Sequence, residues 1–340
     1  MAEVQLVMNM ITNTRFTTPG TEMSADKIYR SLLGKLSDVN QSPNQIVIGL
    51  TWTLAKFGNS YGLAMSPGYK SRTLPWSGDL CQRPIGEIAQ WVKSWNGFEA
   101  SVGMACINAV INAESEILQM AQPIARAGRG NLSVFEHFLP RMKGKKVVVV
   151  GRYPGLEEIE KQLDMIVLER NPGDKDLPDP ACEYVIPDAD WVFLSATSII
   201  NKTFPRLAEL SSNANLVLMG PSLPWIEQLS EFGVDYLAGV RVVEDSSLVS
   251  SVMEGGGVRL FDRAVEYCVY DFSQRHMSAT REKLAEVVSY RNRLKARMDA
   301  WYQSSGKGRF PESEQLFMLD EKLSRLDSRY KRLWDANQQD

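Results

Sequence analysis

Lys145-Lys146-Val147-Val148-Val149-Val150-Gly151 is the stretch on which the fold turns. Four β-branched residues in succession, entered through two lysines and left through a glycine, read as a strand buried on both faces. Such a strand belongs at the centre of a doubly wound α/β sheet. In sheets of that kind ligands bind outside the carboxyl ends of the strands. The loop behind it, Arg152-Tyr153-Pro154-Gly155, is therefore the first place to look for a site.

Downstream, apolar runs predict strands at Met165–Glu169, Trp191–Leu194, Leu216–Met219 and Tyr236–Leu237. Helical stretches are expected between them at Leu156–Gln162, Asn201–Leu210 and Trp225–Phe232. Strands alternating with helices imply βαβ units and a mostly parallel sheet. After His276 the pattern changes. Leu284, Val287, Arg291, Leu294, Met298 and Trp301 recur at heptad spacing, as do Leu316, Leu319, Leu323, Leu326, Tyr330 and Leu333. Ser278 to the C-terminus reads as two antiparallel helices on a coiled-coil-like seam that Arg291 interrupts.

Upstream, residues 119–144 are punctuated by Gly and Pro and hold a short helix, Ser133–Leu139; the domain junction is placed here. His137 reads as a residue of that helix rather than a ligand. Ser24–Ser37 is expected to be a helix capped by Ser24, with Ile28, Leu32, Leu33 and Leu36 on one face. Asn44–Thr53 is strand-like, and the following KFGNSYGLAMSPGYKSR reads as antiparallel hairpin or loop. Pro84 suits the first turn of a helix carrying Ile85, Ile88, Ala89, Val92 and Trp95, stopped at Asn96-Gly97. A second helix, Phe98–Ala113, is rich in small residues that allow close approach. Asn108 and Asn112 lie on it, read as satisfying nearby backbone groups or touching a ligand. The expected organisation is 1–118, a connection 119–144, 145–276, and a hairpin 277–340.

Composition narrows the function. The chain has 340 residues, 44% hydrophobic and 23% charged, and a formal net charge of -3. Those values fit a globular protein and give no reason to expect nucleic acid or an anionic membrane as a partner. No apolar run approaches a membrane span, and the first residues lack a secretory signal, so a cytoplasmic protein is the expectation. Four scattered cysteines and two distant histidines do not spell a zinc site or a disulfide framework. A divalent metal would be held by oxygen ligands or through a bound small molecule.

The strand ends carry the polar residues. Gly151-Arg152-Tyr153-Pro154-Gly155 can bring backbone close to a ligand, although it lacks G-x-G-x-x-G and Pro154 removes a donor. Glu169 ends the second strand, where it can accept from ribose hydroxyls or pair with Arg152 or Arg170. Ser195-Ala196-Thr197-Ser198 and then Asn201-Lys202-Thr203 combine hydroxyls, amides and an ammonium suited to a carboxylate or phosphate. The plainer alternative is an N-cap by Ser198 or Asn201 with Lys202 in solvent. Ser222 in Gly220-Pro221-Ser222 could touch a ligand; it is no nucleophile elbow, and neither histidine supplies a base. Gly255–Gly257 signals close packing or a flap.

VVVVGRYPG, VLERNPGDKDLPD, PDADWVFLSATSIINKT, LMGPSLP, GVDYLAG and EGGGVRLF, with GEIAQW and EASVGMACINA before them, resemble the heavy-metal chelation proteins (DUF364 preceded by DUF4213) over about Ser24 to Val269. The resemblance implies an α+β domain similar to the N-terminal domain of enolases and a Rossmann-like domain, with a site where they meet. It implies roles in metal chelation, or in making pterin-, flavin- or siderophore-like molecules. Carried onto this chain, the positions are Gly151, Glu169, Ser195, Asn201, Lys202, Thr203, Pro221, Ser222 and Asn108. The hairpin after His276 departs from the family pattern. Three functional readings are compatible with these residues: a site for a metal chelate or chelating heterocycle; an enzyme using adenosylmethionine or a nucleotide; and a scaffold whose hairpin recruits a protein partner or a second copy.

Overall fold

The computed structural model describes residues 24–71, 73–126, 128–304 and 307–338. Its strands are β1 Gln45–Ile48, β2 Trp52–Phe57, β3 Ser60–Met65, β4 Gln122–Pro123, β5 Lys146–Val150, β6 Asp164–Glu169, β7 Leu177–Pro178, β8 Trp191–Ser195, β9 Asn215–Met219, β10 Tyr236–Val242 and β11 Val265–Asp271. Residues 24–271 and 272–338 form separate compact units.

β5 covers the valine run, and Val147, Val148 and Val149 are buried. Parallel neighbours flank it, with Val149 opposite Val167 of β6 and Phe193 of β8. The eight-stranded sheet has the order β4-β11-β10-β9-β8-β5-β6-β7. From β7 to β10 every pair is parallel, while β11 and β4 add antiparallel strands at one side. The chain moves outward from β5 through β6 to β7, then returns to the other side of β5 for β8. Between the carboxyl ends of β5 and β8 the connections diverge, the topological switch point where sheets of this kind place ligands. The helix Ser133–Met142 braces these strands: Phe138 meets Trp191 at 5.4 Å and Tyr236 at 5.0 Å between ring centroids, and Phe135 meets Phe193 at 5.0 Å.

Ahead of this sheet, β1, β2 and β3 form an antiparallel sheet crossed by the helix Gly97–Glu114. Asn44–Thr53 is not one strand. The chain reverses at Gly49, whose N–H bonds Trp52 O at 3.0 Å, and a Cβ there would lie 2.3 Å from Val252 O. Asn96 does not merely stop a helix; its side chain caps Gly97–Glu114 by accepting from Phe98 N at 3.0 Å. Pro84 stands at the N-cap of a short helix, Ile85–Ala89, that passes into a 3-10 turn, and Trp95 is 87% exposed rather than on a buried face. The small residues do permit close approach. Gly62 of β3 lies so near the helix that an added Cβ would fall 2.1 Å from Ala105 O and Ala109 N.

Other sequence expectations shift by local chemistry. The helix expected over Asn201–Leu210 begins only at Phe204 and runs to Leu210; a separate short helix, Thr197–Ile200, precedes it, and Lys202 takes a left-handed φ of 70° between the two. Leu156–Gln162 shrinks to the turn Glu157–Glu160, and Trp225–Phe232 is a 3-10 run over Glu227–Phe232 ended by left-handed Gly233. Tyr236–Leu237 extends to Val242 because β11 pairs along its length.

In the second unit, Ser273–Gln303 and Ser313–Asn337 are antiparallel helices. Val287, Leu294, Phe310, Leu316 and Leu319 form its core, with Tyr290, Met298, Trp301, Leu323 and Leu326 packed on it. Arg291 is accommodated by an ion pair with Asp320 on the facing helix. No described helix is long and apolar enough to cross a membrane.

Candidate functional site

Two glycines shape the chain at this switch point, the candidate crevice. Gly151, after β5, has φ 101°, and its N–H bonds Leu168 O at 2.8 Å. Gly220, after β9, has φ 113°. Side chains strain at such values, so glycine lets both strands turn sharply. A Cβ on Gly151 would touch Ser195 Cβ at 3.4 Å, and one on Gly220 would lie 3.9 Å from Tyr153 Oη. Tyr153 thus reaches across the strand ends. Its ring meets Phe135 edge-on at 5.3 Å, and its hydroxyl is buried without a well-formed hydrogen bond to any described residue. Burial raises the phenol's pKa, with Ser195 close enough to offset part of the rise. The group is therefore an O–H donor at neutral pH. Ser195 Oγ donates to Thr197 Oγ1 at 3.2 Å.

The end of β3 meets these loops. Met65 N donates to Ser222 Oγ at 2.9 Å, and Thr197 Oγ1 reaches Met65 Sδ at 3.5 Å. Ser101 Oγ donates to Met65 O at 2.7 Å. Asn108 Nδ2 donates to Leu63 O at 2.8 Å and Ser222 O at 3.1 Å. Pro221 and Ser222 are buried in a turn closed by Leu223 N on Gly220 O at 3.1 Å. Asn108 and Ser222 thus fasten the small antiparallel sheet and its helix to the large sheet. Asn112 spends its amide on Tyr61 O at 2.9 Å.

Lys202 neither lies in solvent nor finds a carboxylate. Its Nζ donates to Ile200 O at 2.7 Å and to Ser94 O, and lies 5.9 Å from the Trp95 ring centroid. Asn201 Oδ1 accepts from Thr203 N at 3.2 Å and Thr203 Oγ1 at 2.6 Å, so these two residues shape the turn for one another. Ser198 Oγ is buried without a partner among the described residues and caps nothing. Burial lowers the Lys202 pKa to about 8. An unfolded lysine titrates near ~10.4, so between these values the unfolded chain holds more protons and stability rises with pH. The melting midpoint of wild type minus that of Lys202→Gln should therefore increase as pH is raised from ~8 to ~10. A difference flat across that range would show that burial does not penalise this ammonium.

Glu169 does not pair with the guanidinium of Arg152 or Arg170. Its Oε2 accepts from Arg152 N at 2.8 Å, and its Oε1 accepts from Arg170 N at 2.7 Å and Asn171 N at 3.3 Å. Through these amides it braces the Gly151 loop. The Arg152 guanidinium goes to Asp176, Glu160 and Glu157, and Arg170 goes to Asp179. The turn after Gly155 carries Glu157, Glu158 and Glu160, a poor seat for a phosphate. Gly255–Gly257 is a close-packed turn: a Cβ on Gly256 would sit 2.8 Å from Ser251 O, and Gly257 O accepts from Trp52 Nε1 at 3.1 Å.

The structure thus joins Gly151 to Ser195, and links Ser195 through Thr197 and Met65 to Ser222 and Asn108. Asn201, Lys202 and Thr203 form a neighbouring turn against Ser94, and Glu169 stands behind the Gly151 loop. Sequence reasoning missed Tyr153 and Met65. The only signal for Tyr153 was its place between two glycines; Met65 shows only through β3 pairing. Among the described residues no three His, Cys, Asp or Glu side chains come together to hold a metal ion. The crevice offers hydroxyls, a phenol and a thioether, a donor set that does not fit a bare divalent cation.

Two family descriptions match, both reading "Putative heavy-metal chelation": DUF4213 over residues 43–111 and DUF364 over residues 133–271. The chain is similar to an uncharacterized protein of Methanocaldococcus jannaschii, 28% identical over 198 residues, covering 54% of this chain and 72% of the relative. A DUF364 crystal structure from Pyrococcus horikoshii shares the fold, with a TM-score of 0.56 at 20% identity over 73% of this chain and 100% of that one. Another, from Desulfitobacterium hafniense, has a TM-score of 0.65 and 30% identity, covering 74% of this chain and all (100%) of that one. The order of domains, the fold and this identity together make the chain a member of the DUF364 family, carrying the DUF4213 domain ahead of it.

Proposed function

We propose that the crevice bounded by Gly151, Tyr153, Ser195, Thr197, Gly220 and the Met65 end of β3 binds a small organic molecule that brings its own metal-chelating donors, either as a heterocycle or as its metal complex. The observation that carries this reading is the Tyr153 hydroxyl, buried at the strand ends without a well-formed hydrogen bond and flanked by two left-handed glycines. A buried donor left unpaired costs free energy that a ligand acceptor would recover. Hydroxyls suit the oxygen and nitrogen edge of a chelating heterocycle. The poor fit to a bare ion favours a ligand that supplies most of the coordination itself. Asn108 and Ser222 act as fasteners of the walls, while Asn201, Lys202 and Thr203 shape the rim. The family description supports the chelation theme.

The adenosylmethionine or nucleotide reading is weakened because Glu169 is committed to three backbone amides and the following turn is acidic. Recruitment of a protein partner or second copy through the hairpin is a separate proposal, supported by the exposure of Phe317, Met318 and Trp334 on it.

Titration calorimetry with pterin-like and siderophore-like chelators, metal-free and metal-loaded, tests the site. Tyr153→Phe and Thr197→Val should each weaken the best ligand by about tenfold, the worth of one hydrogen bond. Tyr153→Phe removes an unpaired hydroxyl, so its melting midpoint should not fall. Unchanged affinity in both variants, or bare ions binding as tightly as their complexes, would sink the proposal.

A further inference from the structure

A second cleft lies away from the strand-end crevice, between the β2–β3 turn, the end of the Gly97–Glu114 helix and the far end of β10. It encloses about 350 Å³. That is within the range of small-ligand pockets, at its lower end. Asn59, Ser60, Asn112, Arg241 and Asp245 supply its polar lining, and Leu118, Val240 and Val242 are apolar wall.

Three of the polar groups differ in how far the protein itself satisfies them. Arg241 is fixed by its Nη2, which donates to Leu118 O at 2.9 Å and Ala121 O at 3.0 Å. Its Nη1 has Glu266 at 3.7 Å, too far for a hydrogen bond. The guanidinium is thus a positioned cation that shares its charge with Glu266 and keeps N–H groups to spare. Asn112 has its Nδ2 committed to Tyr61 O at 2.9 Å, which leaves a buried Oδ1 without a partner among the described residues. Asp245 is exposed at the start of the Asp245–Met253 helix, where Lys56 is close enough only to feel its charge.

A carboxylate would add to the bonds of Arg241, and an ammonium would complement the exposed Asp245; both residues line the cleft. We propose that this cleft binds a free α-amino acid, held at both its charged ends, with its side chain against Leu118, Val240 and Val242. The site is independent of the strand-end crevice and shares none of its residues.

The test is calorimetric or NMR titration of the whole protein with the common free amino acids, followed by N-acetyl and carboxamide derivatives of any that bind. Saturable binding by a free amino acid is expected, weakened about tenfold or more by capping either end. Asp245→Asn, a change at an exposed residue that keeps the shape, should weaken it similarly, while Tyr153→Phe should leave it unchanged. No saturable binding by any free amino acid up to about 10 mM, a concentration well above useful affinities, would overturn the proposal. So would affinity that survives both capping and Asp245→Asn. Loss of amino-acid binding in Tyr153→Phe would mean that the ligand occupies the strand-end crevice instead.

Discussion

Arg152→Met should lower the free energy of unfolding by about 1.5–3 kcal/mol, the range for charge-assisted hydrogen bonds in a part-buried cluster. Arg152 Nε donates to Asp176 Oδ1 at 2.8 Å and Oδ2 at 3.1 Å, and its Nη2 reaches Glu160 Oε1 at 2.7 Å. The Asp176 side chain is 3% exposed and loses its main partner when the guanidinium is gone, whereas that of Glu160, 19% exposed, can turn in part to water. The Glu157 contact, with that side chain 57% exposed, adds little. The pH dependence has a definite sign. The Arg152 hydrogen bond holds the Asp176 carboxyl below its ordinary range. That stabilisation is complete above the unfolded value of ~3.9 and is lost as pH falls through the lower folded value. Urea unfolding should therefore show a wide gap between wild type and variant at neutral pH that narrows in acid. A gap under about 1 kcal/mol at neutral pH would place the cluster among surface pairs. The variant also bears on the site, because the same loop carries Tyr153.

Gly62→Ala should cost about 3 kcal/mol or more and is expected to leave little folded protein at physiological temperature. The added methyl would fall 2.1 Å from two backbone atoms of the Gly97–Glu114 helix, and backbone within a helix cannot step aside alone. The whole helix would have to lift from β3. Ser101 and Asn108 lie on it, so the contacts that hold Met65 and Ser222 would part as well. Gly34→Ala is the control: nothing lies within 4 Å of a Cβ there, and a helix gains from the exchange. Thermal melts of the two variants should separate widely. Equal midpoints would mean that the helix does not press on β3 as described.

The strongly periodic parts of the chain could be read from sequence. The valine run had one plausible place in a sheet, and it became β5. The hairpin's heptads named its core residues, because packing of two long helices depends on spacing alone. The break at Lys202 was only half legible: Pro205 marks the first turn of the helix that follows, but no glycine stands at the left-handed residue, and the turn is held by carbonyls of Ser94 and Ile200, one of them distant in sequence. The bracing role of Glu169 could not be read ahead because its partners are main-chain amides, which have no sequence signature. Tyr153 carries no pattern either; its importance arises from Gly220, brought near by the order of the strands. β11 went unseen because its partners, β10 and β4, lie outside its own sequence neighbourhood.

The large sheet ends on both sides in a strand of two residues, and each holds a proline: Pro123 in β4 and Pro178 in β7. A proline offers no N–H to an incoming strand, and two residues present too short a template for pairing. The wide sheet is thereby sealed against growth by strand addition, a recognised route to amyloid-like assembly. Higher-order association of this protein has to be made by side chains on its faces or on its long helices, where charge and shape can select the partner.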